Sequence, residues 1–341
     1  MELEALRTLY EHEGPFATIY LESRSPAADA EQQVRLRWDD LRQQLSEAGT
    51  PEDVLATIDD AVLVEDITEV HSNGRVLVAN STGVLLNDAV DASLGAGDHA
   101  HWSDEPELGD YIRQRERAVK MLVAITDQTG ATIRQVIVAD SHDMDERSET
   151  QIDADDAVSK PRENALHHSK IQNRADEVVK QNVREVAEHL EKTARSWQPE
   201  VVVVAGETQG RSALLEELSD ELAIRGVESG GTDDDAAEDE LADQLRAVAY
   251  ELSAERVREN TERYEYGTAH DQAVSGSQAV ARSTEMGAVG SLLLEYTRGA
   301  TDESTHLAAA IRTGADVGLV EYSLDDAVAA LLRFETGAET P

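Results

Sequence analysis

AVKMLVAITDQTGATIRQVIVAD, residues 118–140, decides the fold. Two runs rich in Val and Ile flank Asp127-Gln128-Thr129-Gly130, residues suited to reversing a chain, so the stretch predicts a β-hairpin. Downstream, PEVVVVAGE (199–207) is short and continuously apolar. That is the pattern of a strand buried on both faces of a sheet. A helical pattern runs between hairpin and strand from about Arg174 to Trp197, and Leu214, Leu215, Leu218 and Leu222 recur at helical spacing behind it. Strands interleaved with helices in this order predict an α/β layer over residues 116–228.

The hairpin and the long helix are separated by a segment of opposite character to the rest of the chain. Residues 158–184 hold six basic groups against three acids (Glu163, Asp176, Glu177) and are locally +3, in a protein whose formal net charge is -40. The reading is a basic loop over 158–174. Lys160, Arg162, Lys170 and Arg174 are placed to meet RNA phosphates, while His167, His168 and Gln172 can stack on or hydrogen-bond to exposed bases. The alternative is that these groups neutralise the acids of QIDADD just upstream.

Working outward, residues 1–115 show a short helical pattern, then FATIYLE (16–22) with strand alternation. An amphipathic helix follows around Val34, Leu36, Trp38, Leu41 and Leu45, with a second helix after Thr50-Pro51. SNGRVLVANSTGVLLND (72–88) predicts two strands about a turn at Asn80–Gly83. On the other side, ESGGTDDDAAEDE (228–240) combines adjacent glycines with an acidic run, so 229–240 is expected to be a solvated linker. Beyond it come a helix through Tyr250, the stretch SGSQAVARSTEMGAVGSLLLEY (275–296), a helix ending near Ile311, and strands at VGLVEY and ALLRFE. Residues 241–341 therefore predict a compact α/β/α domain.

Composition narrows the function classes. The 341 residues carry 70 Asp plus Glu against 30 Lys plus Arg, of which only five are lysine. A carboxylate-coated, Lys-poor surface suits molar salt, where the Debye length falls to roughly 3 Å and self-repulsion is screened, so a halophilic protein is expected. Cysteine is absent, which excludes disulfides, thiol catalysis and zinc ribbons. No apolar run reaches the roughly 20 residues of a membrane span and the N-terminus does not read as a signal peptide, so a cytoplasmic protein without membrane contact is expected.

TEMGAVGSLLLEY (284–296), after Gly276, and the closing AVAALLRFE (327–335) resemble the C-terminal domain of the archaeo-eukaryotic class-1 peptide-chain release factors and their relative Pelota. Glu285, Met286, Gly287, Ala288 and Val289 match one signature of that superfamily; Ala329, Ala330, Leu332, Arg333 and Phe334 match the other. The hairpin, loop, long helix and VVVVAG strand are similar to its central RNase-H-like domain. EGPFATIYLE and RWDDLRQQL resemble the bacterial and haloarchaeal branch, which includes the Balon-like ribosome hibernation factors and a mycobacterial dormancy-associated homologue. The resemblance implies an α/β protein of three domains: 1–115, a central RNase-H-like domain 116–228, and a release-factor third domain 241–341. It also implies a ribosomal partner at the A site, with rRNA and tRNA within reach, a translational GTPase as a further partner, no cofactor, and a monomer.

Departures from the family pattern matter as much. Gly-Gly-Gln, with which release factors position water at the peptidyl-tRNA ester, is absent, and so is the Asn-Ile-Lys-Ser motif of stop-codon reading. Gly276-Ser277-Gln278 opens a helix of the third domain and is read as a helix start. The loop offers Gln172, without flanking glycines, as the candidate to orient water. The resemblance therefore implies a factor that occludes or protects idle ribosomes, with a peptidyl-tRNA hydrolase as the alternative. A third reading, a metal-dependent nuclease, requires Asp127, Asp140 and Glu207 to converge around divalent cations. His167 and His168 do not read as a metal pair, because adjacent residues on an extended loop diverge and no third ligand is evident, and no metal is expected. Trp38, Trp102 and Trp197 read as packing residues.

Overall fold

The computed structural model describes residues 4–22, 30–62, 74–92, 95–126, 130–139, 143–153, 168–219, 221–227 and 235–334. Of residues 4, 5, 30, 31, 143–149, 151–153, 168–180 and 235 only the backbone is described. The chain is mixed α/β and divides into two compact units, one formed by residues 1–117 with 253–341 and the other by 118–252.

The second unit is built on the hairpin. Strands β5 (Val119–Thr126) and β6 (Gly130–Val138) pair antiparallel through the full register from Val119↔Val138 to Thr126↔Ala131. A third strand, β7 (Asp143–Asp153), continues the antiparallel ladder at the edge. On the other side β8 (Val201–Gly206) pairs parallel with β5, and β9 (Ile224–Gly226) with β8, giving the order β7-β6-β5-β8-β9. The connections run through α5 (His168–Trp197) and α6 (Thr208–Glu217). One sheet face, with Leu122, Ala124, Val202 and Val204, packs on Val186, Leu190 and Ala194 of α5 and Leu214 of α6. The opposite face, with Met121, Val123, Val201 and Val203, packs on Leu241, Leu245 and Val248 at the start of α7 (Asp235–Ala269). Covering both faces is why VVVVAG can be continuously apolar. Gly206 closes that strand at φ +98°, where an added Cβ would lie 2.1 Å from the Thr126 carbonyl oxygen.

Two boundaries and one strand around the central sheet differ from the sequence reading. The long helix begins at His168, so 168–174 of the expected loop are helical, while 158–167 lie outside the described residues. Residues 235–240 of the expected linker are the first turns of α7, and 229–234 lie outside the described residues. Strand β7 occupies a stretch the sequence left unassigned: DMDERSETQID has no apolar alternation because an edge strand needs none.

The first unit holds two sheets. An antiparallel sheet, order β3-β2-β1-β4, combines β1 (Phe16–Glu22), β2 (Gly74–Asn80), β3 (Gly83–Ala89) and β4 (His99–Ser103). Alternation on β1 assigns each face its partner. Ala17, Ile19 and Leu21 turn to α2 (Ala30–Glu47) and α3 (Glu52–Val62), burying Val34, Trp38, Leu41, Leu55 and Ile58. Full burial of an aliphatic side chain of this kind contributes about 1.5–3 kcal/mol. Phe16 and Tyr20 turn the other way, into a core shared with α1 (Glu4–Tyr10) and α4 (Gly109–Arg117) and with the C-terminal segment.

That C-terminal segment supplies the second sheet, order β10-β13-β11-β12, from β10 (Ala273–Ser275), β11 (Val289–Glu295), β12 (Asp316–Val320) and β13 (Val328–Leu332). Its α8 (Ser277–Glu285) and α9 (Glu303–Arg312) bring Val280, Leu307 and Ile311 to the shared core, while Tyr264 of α7 covers the opposite face with Leu293 and Ala329. The two ends of the chain thus fold as one body. Neither segment's local pattern shows this, because the union rests on side chains far apart in the chain, such as Arg312 and Glu105, which are 207 positions apart.

Candidate nucleic-acid interface

The basic stretch of the central unit is positioned by α5. At ~1.5 Å per residue, His168 stands about 22 Å along the helix axis from Val183, the first side chain known to pack against the sheet. The body of the helix from Val183 to Trp197 is fixed by the apolar face described above, and Trp197 itself lies beneath Lys120, whose ammonium sits 5.0 Å from the ring centroid. Arg184 reaches Glu217 of α6 at 3.6 Å across an exposed surface. Of the residues read as RNA contacts, Lys160, Arg162 and His167 lie outside the described residues. His168, Lys170, Gln172 and Arg174 occupy the first two turns of α5. Helical spacing sets 168 and 172 one turn apart, and likewise 170 and 174. Gln172 stands where its backbone N–H faces the carbonyl of residue 168, so that amide is taken up within the helix.

The start of α5 was hidden from sequence reading because its first turn carries no acid and its basic residues oppose the helix dipole there. The geometry therefore changes what was expected of His168, Lys170 and Gln172: their backbone belongs to a helix end that starts six residues before Arg174.

The three carboxylates of the nuclease reading are not gathered by the strands that lead to them. Asp127 and Asp140 lie outside the described residues. The strand ends before them, Thr126 and Val138, stand at opposite ends of β5, because Val138 pairs with Val119. Glu207 follows Gly206, which pairs with Thr126, and it is exposed at the N-cap of α6. Among the described residues no group of three His, Asp or Glu side chains is arranged to hold a metal ion.

Gly276-Ser277-Gln278 is the start of α8, with Gly276 at φ +89° as its N-cap. The Ser277 N–H donates to Asp326 Oδ2 (3.1 Å), and Ser277 Oγ lies 2.8 Å from His306 Nε2. Burial holds the His306 imidazole below its usual range, against the pull of Asp302, Glu303 and Asp326. A neutral imidazole tied to a hydroxyl clamps α8 to α9. The carboxylate already seated on the helix N-terminus occupies the place an oxyanion would need. Among the described residues no helix is long and apolar enough to cross a membrane.

Residues 120–270 match the sequence model of Bacterial archaeo-eukaryotic release factor family 2. The match runs from β5 through the whole of α7. A Mycobacterium tuberculosis protein described as uncharacterized, Rv2629 in strain H37Rv and MT2704 in strain CDC 1551, is 30% identical over 227 residues, which are 66% of this chain. The chain spans 59% of the length of these curated relatives. Among solved structures, the archaeal translation termination factor aRF1 aligns over 97% of both chains at 18% identity and a TM-score of 0.26. A ribosome-bound archaeal Pelota with ABCE1 aligns over 76% of this chain and 78% of its own at 15% identity and a TM-score of 0.42. No function is carried across at that level of likeness. The family match lies on the hairpin, long helix and VVVVAG strand, so residues 120–270 are similar to the archaeo-eukaryotic release factors, and the Glu-Met-Gly-Ala-Val stretch of the sequence resemblance runs from the end of α8 to the start of β11.

Proposed function

We propose that this protein is a ribosome-associated translation factor that occupies the A site and protects idle ribosomes without reading a stop codon. One observation supports it above the rest: a chain similar to the release factors that lacks Gly-Gly-Gln carries, over 158–184, a stretch of net charge +3. Occlusion needs contact and no catalytic group. In this reading Lys160, Arg162, Lys170 and Arg174 meet rRNA phosphates, with His167, His168 and Gln172 against bases. The division into 1–115, 116–228 and 241–341 belongs to the same proposal: the first part faces the decoding centre, the second the peptidyl-transferase centre, and the third a ribosomal protein or translational GTPase. The protein acts as a monomer in the cytoplasm and needs no cofactor.

The alternative, a peptidyl-tRNA hydrolase, rests on Gln172 orienting a water. Its helical setting weighs against it, since the backbone amide is committed to the helix. The test supplies the protein to ribosomes that hold peptidyl-tRNA in the P site and an empty A site. The proposal expects exclusion of aminoacyl-tRNA and no release of peptide. Peptide release that disappears in Gln172→Ala would replace occlusion by hydrolysis, and unimpeded aminoacyl-tRNA entry would remove A-site binding.

A further inference from the structure

Strand β4 carries a pair of imidazoles that the function above does not use. It is one of the two edge strands of its sheet and pairs with β1 in the register Tyr20↔His99 and Thr18↔His101. Residues two apart on a strand share a face, so His99 and His101 stand side by side. Their ring centroids are 5.3 Å apart with the planes at 71°. His99 is held in place twice: its ring stacks on Tyr20 at 4.4 Å between centroids, and its Nδ1 lies 2.7 Å from the Gly97 carbonyl oxygen. A carbonyl only accepts, so Nδ1 carries the proton and Nε2 presents its lone pair. A backbone carbonyl on the far nitrogen is the support that metal-binding histidines use. His101 reaches solvent.

We infer that His99 and His101 form a two-nitrogen site for a borderline transition-metal ion, Zn²⁺, Ni²⁺ or Cu²⁺, completed by water. The spacing suits a shared ion. With a metal–nitrogen bond of ~2.1 Å and ring nitrogens ~1.1 Å from their centroid, two rings at this separation subtend about 110° at the ion, near the tetrahedral angle. Imidazole donors select these metals over Mg²⁺ and Ca²⁺, which take oxygen ligands. The sequence reading passed over His-Ala-His because residues 99–103 were not assigned to a strand, and on a loop the same spacing has no defined face.

The full-length protein is titrated calorimetrically in KCl with ZnCl₂, NiCl₂ or CuCl₂, and with MgCl₂ as control, and Cu²⁺ loading is read by electron paramagnetic resonance. The expected result is one site for the three transition metals, absent for Mg²⁺, whose Cu²⁺ spectrum shows two equivalent nitrogens. His101→Ala, a change at a partly solvated ring, should weaken that site about tenfold or more, while the double variant His167→Ala/His168→Ala leaves it intact. The far-ultraviolet circular dichroism of His101→Ala should match wild type. No binding by the wild type, binding unchanged in His101→Ala, or binding lost with His167 and His168 would each overturn the assignment.

Discussion

Arg113 of α4 grips Glu303 of α9 with two parallel hydrogen bonds of 2.6 and 2.7 Å, joining residues 190 positions apart in the chain. The guanidinium also donates to the carbonyl oxygens of Glu295 and Arg298, so one side chain ties α4 to the end of β11 and to the turn before α9. Both partners are largely withdrawn from solvent, at 13% and 10% side-chain exposure. Removing one partner leaves the other charge poorly solvated. Glu303→Gln or Arg113→Met should therefore cost about 2–4 kcal/mol, read as a lowered guanidinium chloride midpoint for the first unit. A double variant should cost less than the two singles summed.

Arg312 and Glu105 make a similar two-pronged contact, at 2.5 and 2.9 Å, but in the open, with the Arg312 side chain 43% exposed. Solvent screens this pair. Glu105→Gln should cost no more than ~1 kcal/mol in dilute buffer and less in molar KCl. Paired denaturation curves at two salt concentrations would check the contrast with Arg113–Glu303, whose loss should depend little on salt.

Trp38 buries its ring between α2, α3 and the first sheet and donates its indole N–H to Asp59 Oδ1 at 2.8 Å, while Asp59 also receives Arg42. Asp59→Ala strands the indole donor in an apolar setting. The expected loss is about 1–3 kcal/mol, followed by tryptophan fluorescence during denaturation. Trp38→Ala should cost more, about 3–5 kcal/mol, because it empties the largest volume in that core.

His306 gives the fold a pH dependence of definite sign. Its imidazole titrates below the usual range in the folded protein because it is buried, whereas unfolded it titrates near 6.5. The unfolded chain then binds the proton more readily. The stability contributed by neutral His306 is complete above about pH 6.5 and is lost as pH falls through that value toward the folded-state pKa. Unfolding midpoints measured between pH 7.5 and 5 should decline, and His306→Gln should flatten the decline.

Gly206→Ala tests the junction of β8 with β5. The backbone there is at φ +98°, and a methyl would meet the Thr126 carbonyl oxygen at 2.1 Å. No side chain can rotate away to relieve a backbone clash. The variant should lose upwards of about 3 kcal/mol and express poorly, and soluble yield with circular dichroism would show it.

The legible parts of this fold were those with local pattern. β5, β6 and β8 announced themselves through apolar runs and turn residues, and α2, α3, α8 and α9 through 3.6-residue periodicity. β7 and β4 did not, because edge strands carry polar residues such as Asp145, Glu146, His99 and His101. The start of α5 was obscured by basic residues at the wrong end of a dipole. The joining of the two chain ends through Arg113, Glu303, Arg312 and Glu105 lay beyond any window of local sequence. As for the candidate site, its residue types were legible, while the helical setting of His168, Lys170 and Gln172 was not.

The central claim is ribosome binding through the basic stretch, and co-sedimentation measures it directly. Wild type and the variant Lys160→Ala/Arg162→Ala/Lys170→Ala/Arg174→Ala are spun with 70S ribosomes from a halophile in molar KCl. The account predicts that wild type pellets with the ribosomes and the variant stays in the supernatant while keeping the wild-type circular dichroism spectrum. Wild type left in the supernatant, or a variant that pellets equally well, would contradict it.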